Sequence, residues 1–146
     1  MLQSLTSAKS SDVEELRSNL MADVLALAGR IFIGGVFLIS AIGKISAPVA
    51  TIGFIASVGL PFPQLGLVIG IFVETVVTVA LLLGYRTRIM AGVLTVYCVA
   101  TAILFHNEWS NMDQLMHFWK NITMAGGLVE VIAFGAGRYS LDARRR

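Results

Sequence analysis

QLGLVIGIFVETVVTVALLLG, residues 64–84, carries a single charged residue, Glu74, in 21 positions. At a rise of about 1.5 Å per residue such a run spans about 30 Å, the thickness of a bilayer's hydrocarbon core. Three further stretches read the same way, at residues 22–42, 89–105 and 117–136. Between the first two lies APVATIGFIASVGLPFP, residues 47–63, too short and too broken by proline to cross. Pro48 suits a first helical turn, and Gly59 with Pro61 and Pro63 suits a stop. The expected fold is all-α, an integral membrane four-helix bundle with a short interfacial helix between spans 1 and 2.

Composition supports a lipid-facing surface. Of 146 residues, 56% are hydrophobic and 14% charged, against about 25% charged in soluble domains. The basic residues sit in short clusters between apolar runs, which argues for membrane topology signals and against nucleic acid as a partner. Lys9 and Arg17 precede the first span, Arg86 and Arg88 separate the second and third, and Arg138 and Arg144 to Arg146 follow the fourth. The loop 107–116 holds Glu108 and Asp113 and neither Lys nor Arg. The positive-inside rule then predicts both termini in the cytoplasm. Residues 1–21 read as a cytoplasmic tail or amphipathic helix, 22–138 as the transmembrane domain and 139–146 as a basic cytoplasmic tail. Ser11 and Glu14 have capping-box spacing, and Val13, Leu16 and Leu20 follow at helical intervals. No secretory-signal pattern opens the chain.

Charges within a span need a partner or water, because each costs about 2.5–3.5 kcal/mol near the bilayer centre on insertion scales. Arg30 and Glu74 fall near the middle of adjacent spans, so they are expected to pair, with Glu130 able to join them. Lys44, His106, His117 and Lys120 fall at the outer ends of their spans, with Asn121 alongside. Convergence of Lys44, His106, Lys120 and Asn121 predicts a pocket between spans one, three and four for a quinone head or a lipid headgroup. The alternative is separate side chains snorkelling to water. Helical phase places Arg30, Phe37 and Lys44 on one face, and Gly66, Gly70, Glu74 and Thr78 on another. Arg88, Gly92, Thr95, Val99, Ala102 and His106 form the expected inner face of span three. Small and polar residues there would let helices approach closely. Cys98 lies in an apolar run and reads as a small hydrophobe. No nucleophile with its base and no metal motif is recognisable, so no catalytic or metal residue is expected. His106 and His117 as haem ligands are a weaker reading than interfacial hydrogen-bonding groups.

RIFIGGVFLISAIGKI (30–45), GLP (59–61), ETVVTVALLLGYRTR (74–88), FH (105–106), FWKNITMAGGLV (118–129) and GAGRYSLD (135–142) together resemble the DoxX-like family. The resemblance covers nearly the whole chain after the N-terminal segment; Ala41, where the family often has glycine, is a mild departure. It implies a four-helix inner-membrane protein, some members being subunits linked to thiosulfate:quinone oxidoreductase activity. The family's polar residues correspond here to Arg30, Lys44, Glu74, His106, Lys120 and Asn121. The expected function is an accessory membrane subunit supporting quinone-linked electron transfer, related to sulfur or oxidative stress, as anchor or quinone-pocket component. No intrinsic cofactor is expected other than a quinone; the expected partners are the bilayer and a larger redox protein or further copies of the chain. Two other readings stand beside it: a structural or assembly subunit of a respiratory complex, and a small-solute or proton transporter.

Overall fold

The computed structural model describes residues 2–145, with side-chain surroundings from Glu14 onward. Five helices follow in order: α1 Leu2–Ser46, α2 Pro48–Ser57, α3 Pro63–Leu83, α4 Thr87–Phe105 and α5 Met112–Phe134, then a 3₁₀ turn at Ala143–Arg145. No strand occurs among the described residues. Glu14–Ser46, Pro63–Leu83 and Thr87–Phe105 are long and apolar enough to cross a bilayer. α5 matches them in length with 23 residues, but its first half carries His117, Lys120 and Asn121. Together α1, α3, α4 and α5 form the expected bundle, and α2 is the short helix between spans one and two.

Helix boundaries follow local chemistry. Pro48 and Pro63 open α2 and α3, where a missing N–H costs nothing. Pro63 therefore starts a span rather than completing a stop. α4 and α5 pair most extensively, and the core gathers Phe37, Val77, Leu81, Leu94, Cys98 and Leu128. Phe32, Ile39, Val68, Val96 and Phe134 point outward and exposed, the apolar coat that lipid requires. The inner face of α4 is Thr87, Ala91, Leu94, Cys98 and Ala102. The expected stripe through Arg88 and Val99 is thus rotated by about one position, since both of those are exposed.

The segment predicted to be an amphipathic helix or a tail is helical from Leu2 and runs unbroken into the first span; the side chains of residues 2–13 lie outside the described set. The C-terminal segment folds back under the bundle. We call this the lower end. There Leu141 and Asp142 donate their N–H groups to the carbonyls of Leu83 and Gly84, at 3.0 and 2.9 Å. The Asp142 carboxylate accepts from Arg86 N, Thr87 N and Thr87 Oγ1 at 2.8, 2.8 and 2.7 Å, capping α4 from the far end of the chain. Burial works to raise the Asp142 carboxyl, but these bonds from Thr87 and Arg86, with Arg145 nearby, hold it below the usual carboxylate range.

Arg30 is the centre of the lower end. It is 0% exposed. Its Nη1 donates to Leu81 O (3.3 Å) and Leu82 O (2.8 Å), and its Nη2 to Ala136 O (3.1 Å) and Tyr139 O (2.7 Å). The expected Arg30–Glu74 pair is therefore absent. The carbonyls at a helix C-terminus lack intrahelical donors and carry partial negative charge, so one guanidinium ties the end of α3 to the segment leaving α5. Gly84, at φ +68°, makes room for it: a side chain there would meet Arg30 Nη1 and Ser140. Glu130 is exposed on α5 and joins neither group.

Candidate functional site

At the opposite, upper end the helices part around a cavity of about 790 Å³. Its wall is shared by α1, α2, α3, α4 and α5, so it is wider than a pocket between spans one, three and four. α2 closes one side, with Ile55 buried and Phe54 stacked on Phe105 at 5.6 Å between ring centroids.

The base is polar. Glu74, 3% exposed, holds a salt bridge of 2.8 Å with Lys44. Its Oε1 accepts from Lys44 Nζ (2.8 Å), Ser40 Oγ (3.1 Å) and Tyr97 OH (2.8 Å). Lys44 Nζ also donates to Ser40 Oγ at 2.8 Å, one helical turn away. Glu74 Oε2 is buried and has no hydrogen-bond partner among the described residues. Lys44 lies fourteen residues up α1 from Arg30, about 21 Å at 1.5 Å per residue. That separation is why Glu74 meets the lysine and not the arginine.

Local backbone form aims the carboxylate. Val73–Val77 is a π turn, five residues carrying the Glu74 side chain, and Thr78 Oγ1 donates five residues back to Val73 O at 3.3 Å. A stripe repeating every four residues drifts around an ordinary α-helix of 3.6 residues per turn. The wider π turn absorbs part of the drift and keeps Gly70, Glu74 and Thr78 buried together. Gly70 has no side chain to obstruct the base: a Cβ there would sit 3.4 Å from Tyr97 OH and 3.6 Å from Lys44 Cε.

His106, His117, Lys120 and Asn121 line the same cavity nearer its mouth. The two imidazoles stack at 5.1 Å between centroids, and His106 Nδ1 lies 2.8 Å from Gln114 Oε1. Stacked rings direct their nitrogens past each other, a poor arrangement for sharing a metal. Asn121 accepts from Thr101 Oγ1 (3.2 Å) and donates to His117 O (3.0 Å), which fixes its amide between α4 and α5. Lys120 is exposed at the rim. All four expected residues, Lys44, His106, Lys120 and Asn121, thus line one cavity, and Glu74, expected beside Arg30, joins them instead. Ser40 and Tyr97 were not anticipated. Their spacing from charged residues, Ser40 one turn before Lys44 above all, is the only signal the sequence carries for them.

The arrangement is an apolar-walled chamber with aromatic sides, a charged hydrogen-bonded floor and a polar rim. Such a site suits a molecule with a polar aromatic head and an apolar tail.

The model of the DoxX family matches residues 25–107. The chain is similar to the inner membrane protein YphA of Escherichia coli (strain K12), with 31% identity over 126 residues, 83% of this chain and 90% of that one. It is also similar to the inner membrane protein YqjF of the same organism, with 32% identity over 122 residues, 84% and 92% of the two chains. No solved structure matches it.

Proposed function

We propose, because this chain belongs to the DoxX family and two of its relatives are inner membrane proteins, that it resides in a bacterial inner membrane with both termini in the cytoplasm. The orientation follows from the arginines at the lower end and the acidic upper loop. A cysteine placed at Asn111 should react with an impermeant thiol reagent on intact cells, and one at Arg86 should not. Both positions are exposed and the native Cys98 is buried, so its background is low. The opposite labelling pattern would reverse the topology.

Within that membrane the protein serves as an accessory subunit that holds a quinone of the lipid pool for a redox partner. The observation that carries this reading is the upper cavity, whose apolar walls end on the Lys44–Glu74–Tyr97 floor. Its volume of about 790 Å³ falls within the range of about 300–1,000 Å³ usual for small-molecule sites. A quinone ring would pack between the aromatic walls with its oxygens toward the floor and rim and its tail toward lipid. Bound there, a quinone supplies the redox chemistry; the chain supplies orientation, hydrogen bonds and exclusion of water.

Calorimetric titration of the protein in lipid nanodiscs with a decyl-tailed benzoquinone, oxidised and reduced, tests this directly. At least one form should bind saturably above its partition into empty discs. Lys120→Met, which keeps an apolar stem at the rim and removes its charge, should weaken that binding about tenfold through loss of a hydrogen bond involving a charged group. No saturable binding of either form would refute the assignment.

A further inference from the structure

Proton bookkeeping on the cavity floor gives its ligand a chemical sign. The donors present are Ser40 Oγ, Lys44 Nζ and Tyr97 OH, and all three converge on one oxygen, Glu74 Oε1. The other carboxylate oxygen, Oε2, is buried and receives nothing among the described residues. An ammonium has three N–H bonds. Lys44 directs one to Glu74 Oε1 and one to Ser40 Oγ, which leaves the third without an acceptor among the described residues. Within a single ion pair beside the cavity, one buried carboxylate oxygen thus lacks a donor and one ammonium N–H lacks an acceptor.

We infer that the cavity is built to receive a hydroxyl on an aromatic head, donating to Glu74 Oε2 and accepting from Lys44 Nζ. In terms of the reading above, on which this rests, the favoured form is the reduced quinol or a related phenol, not the oxidised quinone.

The argument is one of complementarity. A quinone carbonyl or an ether oxygen only accepts, so it satisfies the lysine and leaves a buried carboxylate oxygen bare. Phosphate and carboxylate groups do the same and add repulsion from Glu74. A phenolic O–H meets both needs at one atom. Leaving a buried polar atom unpaired is the larger effect here, because its desolvation is not recovered anywhere. The neighbouring surfaces agree in kind, with Phe37 and Tyr97 tilted against each other at 6.4 Å beside the floor.

A matched pair of probes isolates the hydroxyl: 4-nonylphenol and 4-nonylanisole, which differ by one methyl on oxygen. Each is titrated into nanodiscs carrying the full chain, with partition into empty discs subtracted. The phenol should bind about tenfold or more tighter than the ether. Glu74→Gln provides the second arm. The three existing donors hold the amide oxygen in the place of Oε1, so the amide nitrogen, now a donor, takes the place of Oε2. The preference for phenol should then vanish or invert. Equal binding of both probes to the unmodified protein, or a preference that survives Glu74→Gln, would overturn the inference while leaving a quinone site intact. Failure of both probes together with both decyl-tailed forms would instead remove the site itself.

Discussion

Arg30→Met will destabilise the protein by at least about 3 kcal/mol, because each buried or half-buried carbonyl left without a donor costs about 1–3 kcal/mol and three lose theirs together. The three belong to Leu82, Ala136 and Tyr139, while Leu81 keeps the N–H of Gly84, so the loss opens the end of α3 and the exit from α5 at once. Against a total stability of about 5–15 kcal/mol this is a large fraction. Arg30→Lys should recover only part of it, since a single nitrogen cannot reach two helix ends as a planar fork does. Thermal unfolding in detergent, with accumulation in membranes as a second readout, measures both variants. An Arg30→Met protein within about 1 kcal/mol of the original would mean the carbonyls find water or other donors at no cost.

At the upper end the expected result is an asymmetry. Lys44→Met leaves the Glu74 carboxylate, 5% exposed in its side chain, without its counter-charge. Breaking a buried pair from one side typically costs about 3–5 kcal/mol. Glu74→Gln leaves Lys44, which is 24% exposed and can turn its ammonium toward the mouth, so its cost should be smaller. Combining Lys44→Met with Glu74→Gln removes both charges and should restore much of what Lys44→Met loses. The measurement is unfolding temperature of the two single variants and the double. A double variant whose loss equals the sum of the singles would show the two side chains to be energetically independent.

The spans were legible because the run length of apolar residues responds directly to bilayer thickness, and Pro48 and Gly59 mark their own backbone demands. Depth was not. Arg30 and Glu74 each sit mid-run when runs are aligned by hydropathy. Yet α1 continues far beyond its apolar stretch, so its centre is a poor guide to which residues share a level. The ends of the apolar runs placed Lys44, His106, Lys120 and Asn121 at one level, and all four line the cavity there. Periodicity missed the phase of most of α4 by one position, because a helix coated with lipid is apolar on both its inner and outer faces. Ser40 and Tyr97 were hidden for a different reason. Neither is charged, and only the folded geometry turns their hydroxyls onto Glu74. The π turn left one faint trace, the four-residue spacing of Gly66, Gly70, Glu74 and Thr78, which an ordinary helix also allows but lets drift around its axis.

The clasp around Arg30 also has a history in time. Its acceptor on Ala136 lies 106 residues further along the chain. At synthesis rates of about 5–20 residues per second, the first span waits on the order of 5–20 s for that carbonyl to be made. For about the first half of that interval none of its four acceptors on other segments exists, and for the rest only those of Leu81 and Leu82 do. The bundle is therefore closed by the segment that follows α5, made only after all four of its long helices.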